Sequence, residues 1–427
     1  MIMFLMFFAI LILLFMGLPT PITMAFVSIV SFILVGGLNE NNIFLLAQRM
    51  YAQVNGITMM AIPFFLLMGN LMDRSGISED LFGFARACLG HLHGGLGAAA
   101  IAACMVMSAM SGSAAAVAAG IGMIAIKEMT KSGYERDFSG ALIACSGSLG
   151  PIIPPSLTLI MYATLISGVS VASLFAGGII PGVIIGVLFI VYCTISCKKR
   201  NYPRVEKASL KELLVAFRKA IWALLTPVIV LGGIFGGIFT ATESAAIAAF
   251  YAMCVGGFVY KTLKLKDLPG IFWETAKGSG KIYFMIACAA FFQYVLMYTR
   301  IPQQGVSLIL GISSSVVPML IILIVLVLIM GCFLEGTAIL MICVPLFVPL
   351  AQAYGYDLVQ LGVLICITGS IGVITPPVGL NLYVVSGISG SNILKLAKEA
   401  IPYVVIMTIV AVLVAFIPQL TTTLAYL

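Results

Sequence analysis

The stretch GSLGPIIPPS, residues 147–156, places three prolines and two glycines inside a strongly apolar run. Residues 369–378, GSIGVITPPV, repeat the pattern 222 positions later. Proline has no N–H, and its ring clashes with the carbonyl of the residue four positions earlier, so each motif is expected to break a helix. The carbonyls of Gly150 and Gly372, which lie four residues before a proline, are thereby released from helical hydrogen bonding.

The composition places both breaks inside a membrane. The chain is 62% hydrophobic and 9% charged, with a mean hydropathy of +1.19, which predicts an all-α polytopic membrane protein. Residues 1–16 lack a basic leading segment and an A-x-A cleavage site, so they are predicted to be a retained helix and not a signal peptide. No HExxH or P-loop motif occurs, and we expect no enzymatic activity.

The basic residues predict the orientation of the chain. We assume an external N-terminus and a hairpin at 94–129 that returns to its own side of the membrane. All Lys and Arg except Arg49 and Arg300 then lie in five loops on one side. These loops are 73–93, 127–137, 197–220, 261–281 and 389–399. Basic loops face the cytoplasm. Both termini are therefore predicted to be periplasmic, in a bacterial inner membrane. The basic residues behind the net charge of +7 are thus accounted for by the cytoplasmic loops, so a nucleic-acid partner is not expected.

The crossing count predicts two inverted repeats. Residues 1–196 cross from outside to inside and residues 221–427 from inside to outside, an arrangement found in many secondary transporters. The segment between them, 197–220, is predicted to be a cytoplasmic, basic amphipathic linker. Two more pairs of short matches at nearly the same offset support the repeat: SGSA at 111–114 with EGTA at 335–338, and Ile180-Pro181 with Ile401-Pro402.

Each repeat is predicted to combine a helical hairpin with a broken helix. The hairpins are expected at about 94–129 and 313–350, and the broken helices at about 138–168 and 358–388. The hairpins are either two full spans with a tight turn or re-entrant hairpins whose tips stop near the midplane. Freed carbonyls suit a small hard cation, and helix starts at the tips present N–H groups to an anion. The pattern favours a cation-coupled carrier of organic anions.

The other polar residues of interest differ in the role that the sequence favours. Glu243 completes a T-x-x-E capping box with Thr240, which favours a structural role. Glu335 has no such partner in the sequence, and we favour a functional role for it. Asn381, one turn after the second break, either satisfies backbone groups or binds substrate. His91 lies, with His93, in an inner loop and is expected to be solvated.

Several stretches resemble the large membrane subunit of the tripartite ATP-independent periplasmic (TRAP) transporters. The resemblance covers nearly the whole chain and implies an elevator, in which a transport domain of hairpins and broken helices slides against a scaffold. It also implies a small four-helix membrane subunit and a periplasmic substrate-binding protein as partners. The stretches are AIPFFLLMGNLMDRSGI (61–77), MSGSAAAVAAGIG (110–122), GPIIPPS (150–156), LFAGGIIPG (174–182), GIFTATESAA (237–246), FLEGTAIL (333–340) and TPPVGLNLYV (375–384).

The resemblance also implies site residues and coupling ions, two or more Na⁺, with no organic cofactor. The first Na⁺ site would use Ser111, Gly150, Ile153 and Pro155, and the second Gly336, Gly372, Thr375 and Pro377. The substrate would meet Ser111, Ser113 or Ser156, to which the chain's own pattern adds Glu335 and Asn381. The chain departs from the family at Glu335-Gly336, where many members have Asp-Pro.

The function predicted is Na⁺-coupled import of a carboxylate-bearing organic acid by a TRAP permease. Sialic acid (N-acetylneuraminate) is the first substrate candidate and a C4-dicarboxylate the second. A stand-alone anion/Na⁺ symporter of similar inverted-repeat fold is an alternative. A channel would need a continuous polar pore, and the scarcity of polar residues in the apolar runs argues against one.

Overall fold

The computed structural model of the chain describes residues 2–35, 39–166, 168–204, 206–313 and 315–426. Within those ranges there are twenty α-helices and no β-strand. The first half contains α1 (Ile2–Phe15), α2 (Thr20–Leu34), α3 (Glu40–Val54), α4 (Ala61–Arg74), α5 (Ile77–Leu89), α6 (Gly95–Ser111), α7 (Ala114–Lys131), α8 (Arg136–Gly147), α9 (Leu157–Leu165) and α10 (Val171–Lys199). The second half contains α11 (Leu210–Phe235), α12 (Ala241–Cys254), α13 (Leu268–Tyr298), α14 (Ile301–Ile312), α15 (Val317–Gly331), α16 (Gly336–Ala353), α17 (Leu358–Gly372), α18 (Leu380–Ser389), α19 (Ile393–Phe416) and α20 (Gln419–Ala425).

The helices include several that are long and apolar enough to cross a membrane. Six pass that test in the described ranges, and a seventh span is possible where residues 42–54 and 57–74 form a pair bent by 53°. Large apolar side chains remain exposed along their outer surfaces, as expected where lipid is the solvent. The prediction of an all-α polytopic membrane protein is confirmed.

The helix starts repeat at the interval of the two proline motifs. Four pairs of helices begin 222 residues apart: Gly95 and Val317, Ala114 and Gly336, Arg136 and Leu358, and Val171 and Ile393. The first two pairs are the hairpins α6–α7 and α15–α16, and the third begins the broken helices. The spacing of secondary structure therefore matches the internal repeat that the sequence motifs predict.

The predicted polar loop at 261–281, in which the pattern of residues 266–278 suggests an amphipathic surface helix, contains the start of α13 at Leu268. One face of the segment is buried against α4. On that face the Asn70 side-chain amide donates a hydrogen bond of 2.9 Å to the Thr275 hydroxyl. Packing of this face outweighs the weak helix propensity of the glycines.

The segment 197–220 is divided between two helices. Helix α10 continues to Lys199, and α11 begins at Leu210 and runs into the membrane without interruption to Phe235. A capping box starts α11: the Ser209 hydroxyl accepts a hydrogen bond from the amide of Glu212, whose carboxylate accepts one from the Ser209 amide. The amphipathic part is thus the first turns of α11.

Arg200 joins three elements at the C-terminal end of α10. Its guanidinium donates to the carboxylate of Glu135 at 2.8 Å and to that of Glu399, on α19, at 2.7 Å. It also lies over the ring of Phe138, 4.9 Å from the centroid. The pair with Glu399 is only partly exposed, so solvent screens it less than an ordinary surface pair, whereas the Glu135 carboxylate is exposed.

We expect Arg200→Met to lower the stability of the chain. The change removes two charge-assisted hydrogen bonds, worth together about 1–2 kcal/mol after solvent screening. Thermal unfolding in detergent should show a lower melting temperature for this variant. Lys199→Met is the matched control, because Lys199 is exposed and adjacent; an equal effect of both variants would contradict the role of the ion pairs.

Candidate functional site

A cavity of about 270 Å³ lies where both hairpin tips and both helix breaks meet. The first residue of each of four helices lines it: Ala114 of α7, Leu157 of α9, Gly336 of α16 and Leu380 of α18. A helix N-terminus carries a partial positive charge on its free N–H groups. Four such ends around one cavity favour an anionic occupant.

The first hairpin tip packs backbone against backbone on the first break. Gly112 ends α6 in the left-handed conformation (φ 62°), and a Cβ there would lie 2.9 Å from the carbonyl oxygen of Pro155. A Cβ on Gly150 would lie 2.7 Å from the carbonyl carbon of Ser113. Glycine at both positions is therefore required for the tip to approach the break this closely.

The second tip approaches the second break in the same way. A Cβ on Gly372 would lie 2.2 Å from the Cα of Gly331, which ends α15. A hydrogen bond also joins the two segments directly, from the Val378 amide to the Cys332 carbonyl at 3.1 Å. Each hairpin tip is thus held on the break of its own half.

The four helix starts differ in how their amides are satisfied. In α9 the Ser156 hydroxyl accepts from the Leu159 amide at 3.2 Å, and in α18 the Asn381 amide donates to the Val373 carbonyl at 3.0 Å. In the described structure neither Ser113 nor Glu335 caps its helix through its side chain. No side chain caps α18 either, because its N-cap residue is Gly379. The first amides of α7 and α16, and those of α18 other than Asn381, are therefore left for a ligand.

In each motif one freed carbonyl regains a hydrogen bond: that of Pro151, which lies four residues before Pro155, and that of Gly372. The Pro151 carbonyl accepts from the Ser156 hydroxyl at 2.5 Å, and the Gly372 carbonyl accepts from the Thr375 amide at 2.9 Å. One bond leaves the second lone pair of each carbonyl oxygen free. The breaks thus keep oxygen lone pairs that can contact an ion.

The residues of the first predicted Na⁺ site lie mostly at one tip. Ser111 is buried at the end of α6, and its hydroxyl accepts from the Ser113 amide at 3.4 Å. The packing described above places Pro155 against Gly112 and Gly150 against Ser113, one and two residues after Ser111. The amide of Ile153 donates to the Leu149 carbonyl at 2.9 Å, which holds this residue on the break.

The second predicted Na⁺ site follows the same plan. Gly372 lies against the end of α15, and Pro377 immediately precedes the residue that bonds to the tip. The Thr375 hydroxyl donates to the Ile371 carbonyl at 2.7 Å, so its lone pairs remain as acceptors. Gly336 lies one turn away, where a Cβ on Gly369 would be 3.7 Å from its Cα.

Of the predicted substrate residues, the cavity brings together Ser113 and Glu335. Ser111, Ser156 and Asn381 are not among its described lining residues. The Ser156 hydroxyl serves the break and the helix cap, as given above. The Asn381 side chain is fully buried and donates to the Ala144 carbonyl at 3.0 Å, so it satisfies a backbone group, one of the two predicted roles.

The cavity also contains residues that the sequence reasoning missed. Lys281, which was counted in a cytoplasmic loop, lies on α13 and lines the cavity. Ser370 is 2% exposed, and its hydroxyl has no partner in the described structure. Thr337 donates to the carboxylate of Glu335 at 2.8 Å. The signal for Ser370 was present, since it lies inside the second proline motif.

The remaining candidates have structural explanations or stay outside the cavity. The capping box of Thr240 and Glu243 is confirmed: the Thr240 hydroxyl accepts from the Glu243 amide, and the carboxylate accepts from the Thr240 amide at 2.8 Å. His93 contacts Arg204 on the surface. His91 is exposed.

The shared cavity helps to distinguish the two predicted forms of the hairpins, full spans and re-entrant hairpins. Helices α6 and α15 have 17 and 15 residues, or about 22–26 Å, shorter than the roughly 30 Å of a hydrocarbon core, whereas α7 and α16 have 18 each and α16 is long and apolar enough to span. Two full spans entering from opposite sides would place their tips on opposite faces of the membrane. With the predicted inverted topology, tips that line one cavity favour re-entrant hairpins.

An all-α multi-pass chain whose hairpin tips and helix breaks surround one cavity has the construction of a secondary transporter. Comparison with known families identifies it further. Residues 6–420 match the family described as "Tripartite ATP-independent periplasmic transporter, DctM component", and the chain belongs to this family. It is therefore a TRAP transporter large permease, a membrane transport protein and not an enzyme, which confirms the resemblance found in the sequence.

Two relatives and one solved structure place the chain within that family and fold. A C4-dicarboxylate TRAP large permease, DctM, of Pseudomonas aeruginosa is 39% identical over 88% of this chain and 88% of its own. A sialic acid TRAP large permease, SiaM, of Vibrio cholerae is 39% identical over 96% of this chain and 95% of its own. The Alcanivorax borkumensis YdaH transporter shares the fold, with a TM-score of 0.63 and 15% identity over 89% of this chain and 90% of that one.

Proposed function

We propose that this permease imports a carboxylate-bearing organic acid together with Na⁺. The observation that carries the proposal is the convergence of four helix N-termini on one cavity beside two helix breaks. The uncapped starts of α7 and α16 supply N–H donors for a carboxylate. The breaks supply carbonyl and hydroxyl oxygens at the same depth for the coupling ion.

The two substrate candidates remain sialic acid and a C4-dicarboxylate. The two relatives with these substrates are equally identical to the chain, so similarity does not separate them. The cavity of about 270 Å³ is at the lower end of small-molecule sites, which begin near roughly 300 Å³. That volume favours the smaller, C4-dicarboxylate ligand, whereas sialic acid would require the tips to separate further.

The donor set at the breaks fits Na⁺. A hard monovalent cation binds neutral oxygen ligands, and the two predicted sets offer backbone carbonyls with the hydroxyls of Ser111 and Thr375. Both hydroxyls keep acceptor capacity in the structure. Two matching sets in the two halves support coupling to at least two ions.

The wider assembly follows from family membership. We propose a small four-helix membrane subunit on the scaffold and a periplasmic protein that delivers the substrate. In the bacterial inner membrane the basic loops would face the cytoplasm, as the positive-inside rule requires. Transport would proceed as an elevator, with the hairpins and broken helices moving as one unit within the lipid bilayer.

Uptake by the reconstituted complex tests the proposal. Proteoliposomes holding the permease and its small subunit are given labelled N-acetylneuraminate or succinate, with and without the binding protein and an inward Na⁺ gradient. We expect uptake of one acid only when the binding protein and the gradient are both present.

The same assay separates the alternatives. Uptake that does not need the binding protein would indicate a stand-alone symporter, and flux far above carrier rates would indicate a channel. Uptake that persists when choline replaces Na⁺ would contradict the proposed coupling. Competition between the two labelled acids identifies the preferred substrate.

A further inference from the structure

Lys281 places a positive charge on the wall of the cavity. It lies near the middle of α13, and together with Gly278 and Ile282 it forms the face of this helix that lines the cavity. Its side chain is exposed, and it takes part in none of the ion pairs found among the described residues. Among the charged residues in the first half of α13, which are Glu274, Lys277 and Lys281, only Lys281 is among the described residues that line the cavity.

The other polar groups of the cavity complement this charge. Glu335 also lines the cavity and is not ion-paired with Lys281 in the described structure; its carboxylate accepts from the Thr337 hydroxyl instead. Ser370 lines the same space with a buried hydroxyl that lacks a described partner. The cavity therefore presents an unpaired cation, an acceptor and an unsatisfied hydroxyl to its occupant.

We propose that Lys281 binds the carboxylate of the transported acid and thereby sets the charge selectivity of the site. This inference rests on the proposed function, because it concerns the same cavity and the same class of substrate. Repulsion by Glu335 turns a carboxylate toward Lys281 and the helix starts. Hydroxyl or amide groups of the ligand then donate to Glu335, and Ser370 completes the polar contacts.

Lys277 provides the matched comparison on the same helix. It lies one turn earlier and its ammonium group is 5.2 Å from the centroid of the Trp273 ring, a cation–π contact that engages its charge. It is not among the described residues that line the cavity. The two lysines thus carry the same charge on the same helix, and only one faces the proposed ligand.

The experiment measures how strongly the permease prefers a charged ligand. Uptake of the acid that the wild-type complex transports, N-acetylneuraminate or succinate, is inhibited by the unlabelled acid and by its primary amide, in which an uncharged group replaces one carboxylate. The ratio of the two inhibition constants is compared in the wild type, Lys281→Met, Lys281→Gln, Lys281→Arg and Lys277→Met. Loss of one charge-assisted contact corresponds to about a tenfold to hundredfold change in this ratio.

We expect the ratio to fall by that amount in Lys281→Met and Lys281→Gln, and to be largely kept in Lys281→Arg and Lys277→Met. A ratio within twofold of the wild type in either uncharged Lys281 variant would overturn the inference. Failure of both uncharged variants to assemble would also overturn it, because Lys281 would then be structural. Absence of uptake by the wild type would instead contradict the proposed function.

Discussion

Gly372→Ala should abolish nearly all transport. The new methyl group would lie 2.2 Å from the Cα of Gly331. Cβ atoms in proteins essentially never approach another heavy atom to less than 3.0 Å. Because the neighbouring atom belongs to the backbone, no side chain can move aside. The second tip must withdraw from the second break, and at least a tenfold loss of uptake is expected from overpacking of this kind.

The control for this variant is another glycine-to-alanine change in the broken helix. Gly387→Ala on α18 meets no atom within 4 Å, and alanine is the better helix former, so uptake and expression should be unchanged. Gly150→Ala, at the matching position of the first half, should behave like Gly372→Ala. Uptake within twofold of the wild type in both variants, at equal amounts of folded protein, would show that the close approach is not needed.

The breaks and tips could be predicted from the sequence because their causes are local. A proline removes a donor and displaces a carbonyl wherever it occurs, and a glycine in the left-handed region ends a helix at a tip. The repeat interval of 222 residues then related the two halves without any knowledge of packing. These features lie where the motifs predicted them, with α8 ending at Gly147 and α17 at Gly372.

The lining of the cavity could not be predicted in full, because it depends on contacts between distant segments. Lys281 was counted among the basic residues of a cytoplasmic loop, whereas the structure places it on α13, which packs on α4. Ser156 was expected at the substrate, but its hydroxyl is engaged by Pro151 and Leu159. Residue type indicates what a side chain can bind, whereas the fold decides which of its neighbours it binds.

Thr375→Val should raise the Na⁺ concentration needed for half-maximal uptake by about a factor of ten or more. This is the effect expected when a bound ion loses one of its oxygen ligands. Valine keeps the shape of threonine and removes only the hydroxyl that retains acceptor capacity at the second break. Ser111→Ala should have the same effect at the first tip, where the serine hydroxyl accepts a single hydrogen bond from a backbone amide. The measurement is uptake against external Na⁺ at fixed substrate concentration.

Two buried hydroxyls nearby provide controls. Thr368 donates to the Leu364 carbonyl at 2.8 Å and Ser108 to the Cys104 carbonyl at 2.7 Å, each four residues back on its own helix. Thr368→Val therefore removes a bond like that of Thr375, away from the break. Ser108→Ala removes a buried hydroxyl of α6 that donates within its helix, whereas the Ser111 hydroxyl accepts from an amide at the tip. If Na⁺ dependence is unchanged in both Thr375→Val and Ser111→Ala, the ion sites lie elsewhere; if it changes equally in the controls, the effect is one of helix stability and not of ion binding.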